Sequence, residues 1–398
     1  GHRGCVSVRK IPAGGPEISK IHRKDNTLFM AGQVTAAQSL IECDGRIERL
    51  VERIPEFSVD AILVLDLKNI RYLTGFSGSD GALVICRDRR ALLVDGRYTT
   101  QAREETSGVE VLEYREKVEG IAAAIPNDQP LEVGFEAAVM TVETHTKLTS
   151  RLEKATIKPL PEAFRMIRAV KTEDEIEKIG TAAGIATRAL ASVLERIRPG
   201  TRERDIAADL EAAMIREGAE AVAFPTIVAS GRNSSRPHAR PGSREIQQGD
   251  ALTIDYGAVY RGYHSDETCT FFVGRADTRQ REIYQIVREA HDEALKAVRT
   301  GSSCREIDRI ARSRIEANGL GEYFSHGTGH GVGLDVHEFP RIAATSEDVL
   351  AAGMVVTVEP GVYIPGSWGI RIEDLLLVRD GAPAVLSGMQ KALQILEI

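Results

Sequence analysis

Hydrophobic residues between positions 45 and 160 fall into short runs of strand length, separated by turns that are rich in glycine. Residues with helical spacing lie between these runs and before the first of them, so the pattern predicts an α/β domain. The predicted strands span residues 61–65, 82–86, 91–94 and 131–135, and the predicted helices span residues 46–53, 99–105 and 118–125.

Beyond residue 162, apolar positions recur at steps of three and four, which is the spacing of amphipathic helices. Thr172 with Glu175, and later Ser303 with Glu306, form the capping-box pattern that marks a helix start. Each time, two helices are followed by strand-like segments. We therefore predict two successive units of helix, helix and strands, without a residue-level repeat. The helices end near residues 197, 217, 298 and 318, and the last strands span residues 354–358 and 370–378.

Composition is typical of a two-domain globular protein. The chain has 398 residues, of which 42% are hydrophobic, and this is enough to bury two cores. A net charge of -7 with both signs interspersed argues against nucleic acid as a partner. No apolar run reaches the ~20 residues of a membrane span. The five cysteines are scattered, so we expect a reducing, cytoplasmic location rather than a disulfide framework.

These patterns divide the chain into three segments. Residues 1–44 have no clear period and no signal-peptide core, and we interpret them as an expression remnant or a disordered extension, with Met30 as an alternative native start. Residues 45–162 form the first predicted domain and residues 163–398 the second, with two nearby prolines marking the boundary.

Two aspartates, Asp255 and Asp266, lie eleven positions apart around a segment that resembles a hairpin turn. Alternating apolar and polar residues before Asp255 predict a strand, and a hairpin would place both carboxylates on adjacent strands. Buried carboxylates repel each other unless a cation lies between them. Aspartates are also common at strand ends, so this pair alone is weak evidence for a metal site.

The segment from His326 to Gly333 combines two histidines with four glycines in seven residues. Such glycines let the backbone approach a neighbouring group closely, and His337 follows seven residues after His330. The segment lacks the Gly-Lys-Ser/Thr ending of a phosphate-binding loop. A flexible turn with incidental histidines is the alternative interpretation.

Two glutamates occupy apolar strands near the end of the chain. Glu359 follows the predicted strand 354–358, and Glu373 lies beside Arg371 within the predicted strand 370–378. An unpaired carboxylate is costly in such surroundings. For each glutamate alone, a salt bridge to a neighbour is the simpler explanation.

Together, the two aspartates, His330 and the two glutamates predict a metal centre. Oxygen-rich ligands with one imidazole suit Mn, Co, Fe or Zn better than a metal that prefers thiolates. Four carboxylates carry four negative charges, and two divalent ions with a bridging hydroxide leave about one negative charge. This balance favours a hydrolytic site with two metal ions.

With these residues, the sequence resembles the pita-bread metallopeptidases, in the proline-specific branch of Xaa-Pro aminopeptidases and Xaa-Pro dipeptidases (prolidases). The resemblance extends from about residue 46 to the C-terminus. It implies a creatinase/prolidase-like α/β domain followed by a pita-bread catalytic domain of two related α/β halves. Methionine aminopeptidases lack the first domain and creatinases lack the ligands, so both fit less well. The matching positions are Asp255, Asp266, His330, Glu359 and Glu373, supported by the stretches 69–76 and 165–171.

The resemblance implies a role for each ligand. Asp255 would hold one metal ion, and His330 with Glu359 would hold the other. Asp266 and Glu373 would bridge the two. A water between the ions would become the hydroxide that attacks the bond before proline, with Glu359 assisting proton transfer. Manganese is the first choice of metal, with cobalt, zinc and iron as alternatives.

Four further residues match active-site positions of that family. His238 and His337 would bind the substrate and stabilise the tetrahedral oxyanion. Arg371 would orient the ligand carboxylates, although an ordinary salt bridge explains this arginine equally well. His326 is assigned to the wall of the substrate pocket.

The leading hypothesis from the sequence is an Xaa-Pro aminopeptidase that acts on peptides with proline at the second position. One alternative is an Xaa-Pro dipeptidase, which would need a cation for the dipeptide carboxylate. A second is a binding module on the same fold that has lost catalysis. The resemblance also implies a homodimer. The charge pattern and the short apolar runs predict neither nucleic acid nor a membrane as partner.

Overall fold

The computed structural model describes residues 36–126, 129–160 and 164–397. The predicted domain boundary near residue 162 and most of the predicted N-terminal extension lie outside these ranges. The first described element, α1 (Ala36–Arg53), begins before the predicted start at residue 46. Residues 36–42 are mostly good helix formers, so the helix extends backwards through Gly45.

The N-terminal domain is built on one six-stranded mixed sheet with helices around it. Its elements after α1 are β1 (Ala61–Val64), α2 (Leu67–Thr74), β2 (Ala82–Cys86), β3 (Arg90–Asp95), α3 (Thr99–Glu105), β4 (Glu110–Tyr114), α4 (Lys117–Ala124), β5 (Leu131–Glu136), α5 (Val142–Thr149) and β6 (Ala155–Leu160). The strand order is β4-β3-β2-β1-β5-β6. The two edge strands, β4 and β6, were not predicted, because each is only partly buried and carries polar residues.

The first half of the larger domain begins with helices that pack on an antiparallel sheet. Its elements are α6 (Arg165–Ala169), α7 (Glu173–Leu194), α8 (Glu203–Arg216), β7 (Ala221–Val222), β8 (Ile227–Ser230), β9 (Ala251–Tyr256), β10 (Ala258–Tyr260), β11 (Tyr263–His264) and β12 (Glu267–Val273). The predicted capping box of α7 is confirmed, with reciprocal hydrogen bonds between Thr172 and Glu175. Apolar residues of α7 and α8 form one core with β8, β9 and β12.

The second half repeats this order of elements. They are α9 (Thr278–Ala297), α10 (Cys304–Glu316), β13 (Gly329–Gly331), β14 (Glu338–Ile342), β15 (Val355–Val358), β16 (Gly361–Tyr363), β17 (Gly369–Arg371), β18 (Asp374–Leu377), β19 (Ala384–Val385) and β20 (Gln394–Leu396). Five of the strands form a sheet in the order β14-β13-β15-β18-β19, and β20 returns to pair with β12 of the first half. The prediction of an α/β fold with two related halves is confirmed.

Two local predictions were wrong. Ser303 makes no side-chain cap at the start of α10, because the Glu306 N–H donates to the Ser303 carbonyl at 3.1 Å instead. The Glu306 carboxylate accepts hydrogen bonds of 2.6 and 2.7 Å from Arg309, so the reciprocal half of the box is also absent. The strand predicted over 370–378 is broken at residues 372–373. There the chain leaves its pairing with β16 and begins its pairing with β15.

The two domains share a hydrophobic cluster. Ile47 and Tyr72 of the N-terminal domain belong to the same buried group as Ile179, Val332 and Leu375 of the larger domain. A shared core of this kind holds two domains in a fixed relation better than polar contacts alone. In the described part of the chain, every helix is too short or too polar to cross a membrane.

Candidate metal centre

The first two candidate ligands come from neighbouring strands of the first half. Asp255 is the next-to-last residue of β9, and Asp266 immediately precedes β12. These strands pair antiparallel, with Thr268 opposite Asp255. Both carboxylates therefore lie at the same end of the strand pair.

The predicted hairpin between the aspartates is present. β10 and β11 pair antiparallel around Arg261 and Gly262, whose φ angles are 48° and 81°. Positive φ at both central residues is the signature of a tight two-residue hairpin turn, and glycine adopts it at little cost.

The other three candidate ligands come from neighbouring strands of the second half. His330 lies in β13, Glu359 immediately follows β15, and Glu373 immediately precedes β18. β15 pairs with both β13 and β18. Thr268 joins the two halves here, because its carbonyl accepts from the Glu373 N–H at 3.1 Å and its hydroxyl donates to Glu373 Oε2 at 2.7 Å.

The glycines around His330 allow this close assembly. A Cβ at Gly329 would lie 2.0 Å from the carbonyl oxygen of Thr357, and one at Gly331 would lie 2.2 Å from that of Phe339. Any other residue would push β13 away from its two neighbours. The glycine-rich segment is thus a strand packed tightly between two others, and the interpretation as a flexible turn was wrong.

The candidate ligands converge at the junction of the two halves. Ligand atoms of Asp266, His330 and Glu373 all lie within 4.8 Å of one another. His330 Nε2 is 3.6 Å from Asp266 Oδ2 and 3.6 Å from Glu359 Oε1. Asp255 lies on the Arg371 side of this group, and its charge acts on Asp266, Glu359 and Glu373.

Like charges dominate the electrostatics of this group. Burial, and then the charges of Glu373, Asp255 and Glu359, raise the pKa of Asp266 well above 3.8. Burial and neighbouring carboxylates raise the pKa of Glu373 well above 4.5. Burial raises the pKa of Glu359 to about 8, although Arg371 opposes this shift. The side chains of the protein therefore supply too little positive charge for these carboxylates.

His330 is kept in the form that a metal ion requires. Burial, and then the charge of His337, lower the pKa of His330 to about 3. The imidazole is therefore neutral near pH 7, and a neutral ring nitrogen can donate its lone pair to a metal.

The residues at this junction fit divalent metal ions. Asp255 Oδ1 is buried and has no hydrogen-bond partner within the described residues, while Oδ2 accepts from Arg371 Nη2 at 2.6 Å. An orphaned carboxylate oxygen facing three further carboxylates is costly unless a cation completes the group. Four carboxylates and one imidazole are a donor set that suits hard or borderline divalent ions.

Arg371 is more than a strand salt bridge. The buried guanidinium donates to Asp255 Oδ2, to Thr268 Oγ1 at 3.1 Å, to the Pro237 carbonyl at 3.2 Å and to Tyr363 Oη at 2.7 Å. It therefore fixes one candidate ligand and the segment that leads to His238. Sequence reasoning missed Tyr363 and Thr268, whose only sequence signal is their spacing from Glu359 and Asp266.

We call the five candidate ligands together the ligand group. The other three histidines that the sequence assigned to the site differ in their exposure and contacts. His337 is exposed, and its ring centroid lies 4.3 Å from that of His330. His326 Nε2 is 2.9 Å from Tyr363 Oη, and burial lowers the pKa of His326 to about 4. His238 is exposed, and its charge contributes to lowering the pKa of both other histidines, after burial.

A cavity of about 430 Å³ opens beside His337. Its walls come from the start of the larger domain and from β14 with the turn before it. They include Phe164, Arg165, Asp335, Phe339 and Arg341. A cavity of this size can hold a small peptide beside His337.

Comparisons with known proteins agree on both domains. Residues 46–170 match the creatinase/prolidase N-terminal domain, and residues 177–380 match metallopeptidase family M24. An Xaa-Pro dipeptidase of Pyrococcus furiosus is 37% identical over 348 residues, which cover 87% of this chain and 99% of the relative.

Solved structures share the whole described architecture. An Xaa-Pro dipeptidase from Bacillus anthracis superposes with a TM-score of 0.86 at 37% identity, covering 89% of this chain and all of that one. An X-Pro aminopeptidase from Thermotoga maritima superposes with a TM-score of 0.81 at 35% identity, covering 88% of this chain and 99% of that one.

Proposed function

The chain belongs to metallopeptidase family M24, and from this premise we propose that it is a metal-dependent Xaa-Pro dipeptidase. The observation that carries the proposal is the group of buried, mutually repelling carboxylates around a neutral His330. Such a group lowers the stability of the fold, and a binding module without catalysis would not need it. A hydrolytic metal site does require it.

The dipeptidase takes precedence over the aminopeptidase that sequence analysis preferred. The similar proteins from P. furiosus and B. anthracis both carry the name Xaa-Pro dipeptidase. The aminopeptidase remains the second candidate, because the T. maritima structure named X-Pro aminopeptidase matches nearly as well.

Arg341 offers the cation that a dipeptidase needs. It lies opposite His330 in the pairing of β13 with β14, so both side chains leave the same face of the sheet. It also lines the cavity beside His337. In the part of the chain that the structure describes, Arg165 pairs with Asp348 and Arg168 with Asp335, whereas Arg341 has no carboxylate partner. A dipeptide carboxylate could fill that place.

Five residues would hold the metal ions. When bound, two divalent ions would lower the pKa of a water and polarise the scissile carbonyl. Manganese is our first choice of metal. The residues are Asp255, Asp266, His330, Glu359 and Glu373.

Other side chains of this protein would act on the substrate. Glu359 would take up the proton of the attacking water. His337 and His238 would bind the peptide and donate hydrogen bonds to the oxygen that becomes negative. Arg371 would hold Asp255 in place, and His326 with Tyr363 would form the pocket wall. The homodimer and the cytoplasmic location remain predictions.

A peptide panel tests this function. Protein stripped with a chelator would be assayed on Ala-Pro, Ala-Pro-Ala and Ala-Ala after adding Mn²⁺, Co²⁺ or Zn²⁺. We expect metal-dependent cleavage of Ala-Pro alone. Faster cleavage of Ala-Pro-Ala would support the aminopeptidase, and no cleavage by folded, metal-loaded protein would contradict both.

The Arg341→Met variant tests the basis of the choice. Loss of a charge-assisted contact of about 1.5–3 kcal/mol should raise KM for Ala-Pro by roughly 10- to 100-fold. The matched control is Arg216→Met, because Arg216 lies exposed at the end of α8. Equal KM values for Arg341→Met and wild type would remove this argument for a dipeptidase.

A further inference from the structure

A second, largely buried charge cluster lies next to His337, and three of its members also line the cavity beside this histidine. We call it the interdomain clamp, because it joins the N-terminal domain to the turn that carries His337. The proposed chemistry gives none of its members a role. They are Lys68 and Asn69 of α2, Arg168 and Lys171 at the start of the larger domain, and Asp335 and Glu338 on either side of His337.

Arg168 is the centre of the clamp. Its Nη1 donates to Asn69 Oδ1 at 2.9 Å, while its Nη2 donates to Asp335 Oδ2 at 2.7 Å and also contacts Glu338 Oε1. Only 11% of the arginine side chain is exposed. One planar guanidinium thus holds a helix of the N-terminal domain and two carboxylates that flank His337, and a lysine could not reproduce this fork.

The carboxylate of Glu338 closes the turn. Its Oε1 accepts from the Asp335 N–H at 3.0 Å, and its Oε2 lies 3.3 Å from Lys171 Nζ. A Cβ at Gly333 would lie 2.6 Å from the same carboxylate, so a larger residue there would displace Glu338. Burial alone would raise the pKa of Glu338, but Lys171 and Arg168 hold it below 4.5. The turn is therefore fixed by ionised, fully paired groups.

The turn touches the metal centre directly. The His337 ring packs edge-on against the His330 ring, and the two ring centroids are 4.3 Å apart. A movement of residues 335–338 would displace His337 and disturb its ring contact with His330. Position errors of about 1 Å at such groups can cost roughly 100-fold in rate.

The other end of the clamp is anchored in the N-terminal sheet. Asn69 Nδ2 donates to Glu136 Oε1 at 2.5 Å. Glu136 Oε2 in turn accepts from the backbone N–H groups of Leu65 and Asp66, at 2.5 and 2.8 Å. Glu136 ends β5, so a path of buried and partly buried hydrogen bonds runs from the sheet to Arg168.

We propose that Arg168 is a positioning residue, which fixes His337 against the metal centre by tying the turn 335–338 to the N-terminal domain. This inference rests on the proposed function, since the role of His337 belongs to it. It gives the N-terminal domain a direct part in assembling the active site. The proposal also explains the stretch 165–171, which contains Arg168. Sequence analysis matched this stretch to the family but gave it no role.

A double-mutant cycle separates positioning from general structural support. Arg168→Met, His337→Ala and the double variant would be compared with wild type on Ala-Pro at saturating metal. We expect Arg168→Met to lower kcat/KM by roughly 10- to 100-fold. The double variant should be no more than about twofold below His337→Ala, because Arg168 acts through His337. Full multiplication of the two losses would overturn the proposal.

Hydrogen–deuterium exchange tests the same proposal without activity. Amides of residues 335–338 should exchange faster in Arg168→Met, while unchanged exchange there would overturn the proposal. Arg188→Met is the matched control, because Arg188 forms an exposed ion pair with Glu217 far from the clamp. If the wild type cleaves no peptide, the proposed function fails, but the exchange result still decides whether Arg168 fixes the turn.

A conservative variant covers the case in which Arg168→Met does not fold. Arg168→Lys keeps the positive charge but cannot make all three contacts. We expect it to remain folded, to accelerate exchange at residues 335–338 and to lose roughly 3- to 10-fold in kcat/KM, again only when His337 is present. Wild-type activity and exchange in Arg168→Lys would overturn the proposal.

Discussion

Two groups of carboxylates lie close to His337, and they differ in where their positive charge comes from. In the ligand group, burial and mutual repulsion raise the pKa values of Asp266 and Glu373. In the interdomain clamp, Lys171 and Arg168 outweigh burial and lower the pKa of Glu338. The same chemical group at similar depth is thus destabilised in one place and stabilised in the other.

A third group follows the pattern of the clamp. Glu267 and Asp374 each adjoin a candidate ligand in the sequence, and both contact the buried Lys391. Their side chains face the opposite side of the strands from the ligands, as alternation requires. In the clamp and around Lys391, lysine or arginine side chains neutralise the buried carboxylates. In the ligand group such side chains are too few, and we infer that metal ions from solution neutralise the carboxylates there.

Glu373→Gln should give the largest effect on function. We expect kcat/KM to fall by about 10³-fold or more, beyond the 10- to 100-fold typical of losing a group that merely supports a ligand. In metal-free protein the same change should raise the unfolding temperature, because it removes one of several repelling charges. Calorimetry with and without metal measures this, and a lower unfolding temperature without metal would contradict the account.

Glu338→Gln is the matched change in the clamp, and its effect on stability should have the opposite sign. It leaves Lys171 buried with a lost partner and removes one contact of Arg168. Breaking a buried pair in this way typically costs about 3–5 kcal/mol. Denaturant unfolding of the metal-free protein measures the loss. A neutral or stabilising result would show that the two groups do not differ as described.

The cost of Glu338→Gln should depend on pH. Because the folded state lowers the pKa of Glu338 below 4.5, its charge stabilises the fold above that pH. The contribution is lost as the pH falls through the folded value. The difference in unfolding free energy between wild type and variant should therefore shrink as the pH falls below 4.5. A difference that stays constant between pH 7 and pH 3.5 would refute the assigned ionisation.

Arg188→Met should give the smallest effect. The Arg188–Glu217 pair is exposed on both sides, and such pairs contribute about 0–1 kcal/mol. We expect unfolding and kcat/KM to match wild type within error. A loss as large as that of Glu338→Gln would mean that burial does not distinguish the charge pairs of this protein.

The sequence predicted the ligand group better than the clamp, for a physical reason. The candidate ligands lie at strand ends, where hydrophobic alternation reveals the strand and the carboxylate interrupts it. The clamp joins Arg168 to partners 167 and 170 positions further along the chain, and no local pattern reports such pairing. Long-range pairing also explains why the interruption between β17 and β18 was not predicted, because the partner strand changes there at residues 372–373.

Titration of chelator-stripped protein with Mn²⁺ by isothermal calorimetry tests the central claim most directly. The account predicts two ions bound per wild-type chain and at least one site lost in Glu373→Gln, while Glu338→Gln, if folded, keeps both. It would be contradicted if wild-type protein bound no Mn²⁺, or if Glu373→Gln bound it as wild type does.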